Sequence, residues 1–288
     1  MYSGSQNKKR AKKANFLGRM LMLLPVSCAI LYPLYLAAQL DLAEDTYTSL
    51  ALPAAFDGLK VAYISDIHYG AYLNEARVMK LVERVNALAP DLIILGGDYG
   101  EDSQGALAFF HLKPGFRAKI ATVAVMGNHD RTLPESNLQA ISQAMQEAGI
   151  RPLVNDALVI EREGKKLAIA GVDDYYNGHP DLEKAAVLCR DADFTIFAPH
   201  TPDILPETYK MAGGIFYDLA LCGHTHGGQV ALFGRALKSS SDYLERYRTG
   251  WKKENGTDIL ISNGVGTSFL PVRLGTRPQF HLITLKSE

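Results

Sequence analysis

Five short polar motifs between residues 66 and 226 constrain the fold of this chain more than any other feature of its sequence. They are Asp66-Ile67-His68, Gly97-Asp98, Gly127-Asn128-His129-Asp130, His200 and Gly223-His224-Thr225-His226. Each motif comes directly after an apolar run of the kind that forms a buried strand. If those strands share one sheet, their carboxyl ends bring the motifs to a single edge, where open α/β sheets bind ligands. The sequence therefore predicts an α/β fold whose polar site is assembled from distant segments.

Short apolar runs alternate with amphipathic segments from about residue 56 onward, which is the pattern of an α/β domain. The runs predicted as buried strands are Val61–Ser65, Leu92–Leu95, Ile120–Met126, Leu167–Ala170, Phe194–Ala198 and Leu219–Leu221. Helices are predicted after Asn74, which can cap one, and over Pro134–Ala148. Later runs with few helices between them predict a second, more antiparallel sheet packed on the first. These runs are Gln229–Phe233, Asp258–Ser262 and Phe280–Leu285.

The side chains of the motifs are those that bind divalent metal ions. Carboxylate, amide and imidazole groups are ligands for Mn²⁺, Fe²⁺ and Zn²⁺, and a carboxylate can bridge two such ions. Taken singly, an Asp-x-His or a Gly-Asp also fits a turn or a helix cap, and His200 lies in an ordinary loop between two prolines. The Gly223–Gly228 run sets two imidazoles on alternate residues beside three glycines, which let the backbone approach closely. Together, the motifs predict a site for two divalent ions.

A near-neutral composition bounds the partners of the chain. Its 288 residues are 47% hydrophobic and carry a formal net charge of -1, which fits one globular domain plus an appendage. This balance offers no global attraction for a polyanion, so no nucleic-acid partner is expected. Cys28, Cys189 and Cys222 show no pairing pattern and no Cys-rich metal site.

The predicted appendage comprises residues 1–45, and the main domain residues 56–288. A basic run, from Lys8 to Arg19, precedes the uncharged stretch Met20–Leu40, which is long enough to cross a bilayer as a helix. A cleaved signal peptide is the alternative, but Leu36 makes the region around Ala37 a poor cleavage site. A retained anchor is therefore favoured. The basic flank before it predicts a single-pass membrane protein whose main domain is extracytoplasmic.

The motif series resembles the calcineurin-like metallophosphoesterase superfamily, from about Leu59 to the end of the chain. Within it, Gly171–Asp174, Asn263–Ser268 and Leu270–Arg273 are similar to the membrane-associated bacterial phosphodiesterase branch, which includes UDP-2,3-diacylglucosamine pyrophosphatases. The resemblance implies a two-sheet β-sandwich flanked by helices in α-β-β-α layers, with an N-terminal anchor in the bacterial inner membrane. The chain departs from its relatives at Gln279, where they usually carry Glu, and at Lys12-Lys13, where some have a twin-arginine export signal.

The same resemblance implies which residues bind the two ions. It assigns Asp66, His68 and His226 to one ion. It assigns Asn128, His200 and His224 to the other, and it makes Asp98 the bridge. Mn²⁺ is the favoured metal, with Fe²⁺ and Zn²⁺ as alternatives.

The remaining polar residues of the motifs are predicted to act on the substrate. His129 is the histidine of the motif set without a metal to bind, so it is expected to stabilise the transition state or to protonate the leaving group. Asp130 either orients His129 through its other ring nitrogen or has a role in a turn or a helix cap. Arg273 and Arg277 are candidates to hold a phosphate beside the Gly264–Gly266 turn, and the alternative is solvated surface charge.

The expected activity is hydrolysis of a phosphodiester or pyrophosphate bond in a membrane-proximal, lipid- or nucleotide-linked phosphate. The leading candidate is UDP-2,3-diacylglucosamine, a precursor in lipid A synthesis. That substrate is cytoplasmic, whereas the charge flank predicts the opposite side of the membrane, so both orientations stay open. The alternatives are a metal-dependent nuclease, which the near-neutral charge disfavours, and a non-catalytic scaffold, which the complete ligand set disfavours.

Overall fold

Fourteen strands and five helices are found in the computed structural model, which describes residues 27–70, 72–132 and 135–288. The strands are β1 (Asp41–Ser49), β2 (Lys60–Ile64), β3 (Leu92–Leu95), β4 (Ala121–Ala124), β5 (Arg151–Pro152), β6 (Asp156–Arg162), β7 (Lys165–Gly171), β8 (Phe194–Phe197), β9 (Leu219–Cys222), β10 (Ala231–Leu232), β11 (Arg235–Ala236), β12 (Gly250–Glu254), β13 (Thr257–Ile261) and β14 (Gln279–Ser287). The helices are α1 (Glu75–Ala87), α2 (Ser103–His111), α3 (Glu135–Glu147), α4 (Leu182–Cys189) and α5 (Leu205–Thr208). A further helical segment lies at residues 27–37.

Twelve of the strands form two six-stranded sheets. The first has the order β1-β14-β2-β3-β4-β5, and the second has the order β12-β13-β9-β8-β7-β6. Strands β2 to β5 are parallel to one another, as are β7, β8, β9 and β13. Strands β10 and β11 form a separate two-stranded ribbon.

The two sheets pack face to face around a shared apolar core. Val61 and Ile94 of the first sheet belong to the same buried cluster as Ile169, Ile196 and Leu221 of the second. The outer face of the first sheet packs on α1, α2 and α3, and the outer face of the second packs on α4. The predicted α/β sandwich with two sheets is therefore confirmed.

Helix α1 forms where the sequence pattern predicts it. The side chain of Asn74 accepts a hydrogen bond from the backbone N–H of Arg77 at 3.2 Å, which satisfies one of the free donors at the start of the helix. Val78, Leu81 and Val85 recur at helical spacing and are fully buried against the first sheet. The predicted helix over Pro134–Ala148 corresponds to α3, although Pro134 lies outside the described residues.

The predicted composition of the second sheet is wrong. Strand β14 lies in the first sheet, between β1 and β2, and the second sheet is built mainly from parallel strands of the middle of the chain. The predicted strand Gln229–Phe233 is reduced to the two residues of β10. The sequence periodicity identified these runs as extended, but it carries no information about which strand pairs with which.

The N-terminal region differs from its prediction. Within residues 27–70, 72–132 and 135–288, no helix has the length and apolar character needed to cross a membrane. This finding contradicts the predicted single-pass membrane location. The basic run and residues 20–26 of the predicted anchor lie outside the described residues. The described remainder packs on the main domain, since the backbone N–H of Arg273 donates to Pro33 O at 3.0 Å and Leu36 is buried. The predicted boundary at residue 45 falls inside β1, which pairs with β14 from Asp41 onward.

Candidate metal centre

The five motifs converge at the carboxyl ends of strands from both sheets. Strands β2, β3 and β4 lead into Asp66, Asp98 and Asn128, whereas β8 and β9 lead into His200 and His224. The motifs follow strands, as the sequence pattern predicts. The strands belong to two sheets and not to one, so the site lies where the edges of the two sheets adjoin.

Three groups of side chains among the described residues could each hold a metal ion. One of them, His68, Asp98 and His129, takes a residue from each of the other two, which share no residue. Ligand atoms of Asp66, His68 and His226 lie within 4.8 Å of one another, as do those of Asp98, His200 and His224. The Nε2 atoms of His68 and His226 are 3.0 Å apart, and His226 Nε2 is 3.6 Å from Asp66 Oδ1. In the second group, His200 Nε2 is 3.2 Å from Asp98 Oδ2. The side-chain oxygen of Asn128 joins this group through His224 Nδ1, at 2.8 Å.

Asp98 stands between the two groups. Its Oδ2 atom is 3.2 Å from His200 Nε2 and 3.7 Å from His68 Nε2, so one carboxylate faces a histidine of each group. Its Oδ1 atom accepts the backbone N–H of His129 at 2.9 Å, which fixes the orientation of the carboxylate. This is the geometry that a bridging carboxylate requires.

Five of these residues have a left-handed backbone conformation, which bulky L-residues rarely adopt. They are Asp66, His68, Asp98, His224 and His226, with φ between 49° and 70°. Each such residue costs about 1–3 kcal/mol, and strain of this kind clusters at functional sites. The conformation of these loops is therefore locally unfavourable, and it directs the five side chains toward a common point.

A glycine allows the loop after β9 to approach Asp66. A Cβ atom at Gly223 would lie 2.5 Å from Asp66 Oδ2, closer than real Cβ contacts come. The backbone of the adjacent His224 donates to Asp66 Oδ1 at 2.9 Å. The glycine of the Gly-His-Thr-His motif is therefore needed for contact between segments from the two sheets.

Backbone carbonyls contact one ring nitrogen of His200 and one of His224. His200 Nδ1 is 2.7 Å from Gly96 O, and His224 Nε2 is 3.1 Å from Ser240 O. Since a carbonyl only accepts, His200 Nδ1 carries a hydrogen, and Nε2 is the nitrogen that faces the site. His224 has an acceptor oxygen beside each ring nitrogen, Ser240 O and Asn128 Oδ1, so these contacts do not assign its hydrogen. Such outer hydrogen bonds are the usual support of histidines that bind metal.

The donor set fits divalent cations. Asp66 Oδ2 is buried and has no hydrogen-bond partner among the described residues. Burial raises the pKa of Asp66 to about 6, because its charge lacks solvent. Burial also lowers the pKa of His68 to about 3 and that of His224 to about 4, so both imidazoles stay neutral, which is the form that binds metal. A pair of cations would supply the charge that this buried cluster lacks.

Electrostatics couple Asp98 and His200. Burial disfavours the charged form of each residue, but their mutual attraction is stronger than this effect. The charge and the hydrogen bond of His200 hold the pKa of Asp98 well below its usual range. Burial likewise lowers the pKa of His200, but the charge and the hydrogen bond of Asp98 raise it by more, to about 10. The mutual stabilisation shows that a positive charge is favourable next to the Asp98 carboxylate.

His129 lies beside the metal-binding groups and lines the cavity in front of them. Its Nδ1 atom is 2.7 Å from Glu101 O, so Nδ1 carries a hydrogen and the ring orientation is fixed. Burial lowers the pKa of His129, but the charge of Asp98 and the hydrogen bond to the Glu101 carbonyl raise it by more, so the net change is an increase. The ring also meets that of His68 edge-on, with centroids 4.8 Å apart.

Asp130 does not orient His129. Its carboxylate is buried and accepts the backbone N–H groups of Asp98 and Gly127, both at 2.8 Å, and of Tyr99 at 2.9 Å. These bonds tie the loop after β3 to the loop after β4, so they agree with the turn alternative. The carbonyl of Glu101, which no sequence pattern identifies, occupies the place predicted for Asp130.

Of the two predicted phosphate-binding arginines, Arg273 is not available to a phosphate, and Arg277 does not line the cavity in front of the metal-binding groups. Arg273 is fully buried and donates to the backbone carbonyls of His226 and Asn263 at 2.7 Å. Its Nη2 atom also donates to His226 Nδ1 at 3.0 Å, so it holds this ring in one orientation. Arg277 is exposed and pairs with Asp41 at 3.3 Å. The spacing to the glycine-rich turn was a correct signal of proximity, but it could not indicate which way each guanidinium points.

The sequence interpretation missed residues that support Asn128 and His224. Asp174 accepts the backbone N–H groups of Tyr176 and Asn177, at 2.9 Å and 2.6 Å. Asn177 in turn donates to the carbonyl of Asn128 at 2.8 Å, and the ring of Tyr176 lies 5.4 Å from that of His224. The Gly171–Asp174 segment had been noticed as a motif, but only the fold connects it to the site.

The chain is similar in sequence and in fold to known proteins. The sequence profile of the calcineurin-like phosphoesterase family matches residues 59–228, which include all five motifs. The chain is 29% identical to the uncharacterized metallophosphoesterase YkuE of Bacillus subtilis, covering 86% of each chain, and 30% identical to phosphodiesterase YaeI of Escherichia coli, covering 78% of this chain and 82% of that one. It is also similar to the structure of a dimetal phosphatase from Danio rerio, at 10% identity and a TM-score of 0.48, covering 79% of this chain and 99% of that one. The profile match and the 30% identity to phosphodiesterase YaeI show that the chain belongs to the calcineurin-like metallophosphoesterase family.

Proposed function

We propose that this chain is a binuclear metal-dependent hydrolase of phosphodiester or pyrophosphate bonds. The observation that carries the proposal is the position of Asp98, whose Oδ2 atom faces His200 Nε2 at 3.2 Å and His68 Nε2 at 3.7 Å. A carboxylate shared by two ligand groups is suited to a pair of ions and not to one. The name of its relative, phosphodiesterase YaeI, supports the same reaction class.

The proposed ligands are those that the resemblance implies. One ion would be held by Asp66, His68 and His226. The other would be held by Asn128, His200 and His224, with Asp98 shared between them. Ions bound there supply Lewis acidity and lower the pKa of a water molecule toward neutrality, so hydrolysis needs no separate strong base. We favour Mn²⁺, with Fe²⁺ and Zn²⁺ as alternatives, because mixed oxygen and imidazole ligands suit all three.

In this proposal His129 acts on the phosphate. The hydrogen bond from Nδ1 to Glu101 O holds the ring in one orientation and favours its protonated form. It can therefore donate a hydrogen bond to a phosphate oxygen or a proton to the leaving oxygen.

The proposed substrate is a lipid- or nucleotide-linked phosphate, and UDP-2,3-diacylglucosamine is the first candidate to test. Against a nuclease, Lys238 is the only Lys or Arg among the described residues that line the cavity, which gives no basic track for a polynucleotide. Against a scaffold, all seven proposed ligands are present and converge.

The test is an assay of the full-length chain, stripped with chelator and reloaded with Mn²⁺, Fe²⁺ or Zn²⁺. The substrates are bis-p-nitrophenyl phosphate, p-nitrophenyl phosphate, UDP-2,3-diacylglucosamine and single-stranded DNA. We expect metal-dependent cleavage of the aryl diester and of the UDP-lipid. Cleavage of DNA alone, with steep salt dependence, would favour a nuclease, and no cleavage with any metal would favour a scaffold.

Replacing His129 with Ala tests its proposed role. Turnover should fall by roughly 10²–10⁴-fold, while two ions per chain remain bound, because His129 is not a proposed ligand. His111→Ala is the matched control, since His111 is exposed at the end of α2. Loss of bound metal in His129→Ala but not in His111→Ala would refute the assignment.

A further inference from the structure

The cavity in front of the metal-binding groups has two unlike walls. Its volume is about 550 Å³. One wall is formed by the motif residues, including Asp98, His129 and His226. The other wall, which we call the apolar wall, comes from residues 229–238 and 268–272. Its apolar side chains are Val230, Leu237, Phe269, Leu270 and Val272.

The apolar wall exposes large side chains that folding alone would bury. Phe269 is 79% exposed, Leu237 68% and Leu270 60%. Single exposed apolar residues are ordinary, but three that line one cavity form a patch, and such patches mark binding surfaces. Because they line the same cavity as Asp98, His129 and His226, a molecule bound at the metal-binding groups can also contact them.

The apolar wall is held in place by hydrogen bonds between its two segments. The side-chain amide of Gln229 donates to Ser268 O at 3.0 Å and Leu270 O at 3.1 Å, and its oxygen accepts the N–H of Ser268 at 2.9 Å. The backbone N–H of Ala231 donates to Leu274 O at 2.7 Å. Phe269 is kept in a left-handed conformation, with φ 63°, which is costly for a bulky residue and indicates a functional constraint.

The polar groups of this wall do not suit a nucleobase. Both amide hydrogens of Gln229 are already used within the wall, so they cannot read the edge of a base. Its one cation is Lys238, whose Nζ atom lies 5.7 Å from the centre of the Phe269 ring. An amphiphilic molecule with a negative head and a flexible apolar chain matches a cation beside an apolar surface.

We propose that the apolar wall binds the alkyl chain of an amphiphilic phosphoester whose phosphate faces the metal-binding groups. This proposal rests on the proposed function, and it names the residues that select the substrate: Leu237, Phe269 and Leu270. Binding would remove these side chains from water together with the alkyl chain, so affinity should grow with chain length.

The test uses alkyl p-nitrophenyl phosphodiesters with methyl, butyl or octyl chains, below their critical micelle concentrations, with the Mn²⁺-loaded full chain. A fully buried methylene group strengthens binding about fourfold, and a half-buried one about twofold. We therefore expect kcat/KM to rise about 16-fold from butyl to octyl. Phe269→Ser and Leu270→Ser should reduce this rise below about fourfold. The control Leu50→Ser, at an exposed residue of another loop, should retain it.

A second measurement separates this proposal from the proposed function. Calorimetric titration with octylphosphonate and ethylphosphonate reports binding without turnover. If the methyl ester is cleaved but chain length and the wall variants have no effect, the alkyl site is refuted and the hydrolase stands. If no ester is cleaved, the hydrolase is refuted, and the alkyl site is then supported only if octylphosphonate binds more tightly and loses that advantage in Leu270→Ser.

Discussion

Replacing Arg273 with Met should destabilise the fold, because Met is of similar length and has no donor for the carbonyls that the guanidinium satisfies. Arg273 is 0% exposed and donates to the carbonyls of His226 and Asn263 at 2.7 Å and of Gly266 at 2.5 Å. A buried carbonyl left unpaired costs about 1–3 kcal/mol. The His226 carbonyl keeps the N–H of Gln229 at 2.9 Å, so the cost comes from Asn263 and Gly266 and is about 2–6 kcal/mol.

Part of this cost is offset, because the variant no longer buries a charge. Burial lowers the pKa of Arg273 from 12.5 to about 10, which corresponds to about 3 kcal/mol. We therefore expect a net loss of about 1 kcal/mol in the free energy of unfolding. Because Arg273 also contacts His226, the affinity for metal should fall about 10–100-fold.

The assay is equilibrium unfolding in urea, with chelator and with Mn²⁺, for the wild type and two matched variants. Arg277→Met is the control, because Arg277 is exposed and its pair with Asp41 is worth less than about 1 kcal/mol. The reasoning is refuted if Arg273→Met keeps wild-type stability and metal affinity and instead raises KM, because that result would indicate an arginine that binds the substrate phosphate.

Two further predictions concern the metal site and the pH dependence of turnover. Gly223→Ala should bind fewer than two metal ions per chain, because its Cβ atom would displace Asp66. The control Gly213→Ala has open space around the added Cβ and should bind both ions. Elemental analysis measures the metal content, and equal content in the two variants would contradict this account. The rate of the metal-loaded protein should fall on the alkaline side where His129 loses its proton, because the protonated form is the proposed donor. In His129→Gln this decline should disappear; an unchanged alkaline decline would show that another group titrates.

The elements that could be predicted from sequence are those with a strong local pattern. Strand β3 was predicted with its observed bounds, Leu92–Leu95, and α1 begins after its predicted cap, Asn74. Strand β1 and helix α2 were missed. Asp41–Ser49 has mostly polar side chains and one buried residue, because the strand lies at a sheet edge, so it shows no apolar run. Ser103–His111 is too short to show a clear helical periodicity.

Arg273 and Asp130 illustrate what sequence patterns leave open at the site. Both were recognised as polar residues near the predicted site, and both lie there. Their roles depend on which buried backbone groups need a partner, the carbonyls of Asn263 and Gly266 for Arg273 and three N–H groups for Asp130. Such needs arise only when loops from different strands meet, because an isolated segment has its polar groups in water.

The sequence by itself determined the chemistry of this protein: which side chains can bind metal, that each follows a strand, and that the family is one of metallophosphoesterases. The tertiary structure decided that the site lies between two sheets, that Arg273 is buried beneath it, and that Leu237 and Phe269 face it together. The reason is physical. Ligand type and strand periodicity are properties of neighbouring residues, whereas strand pairing and burial depend on contacts between residues far apart in the chain.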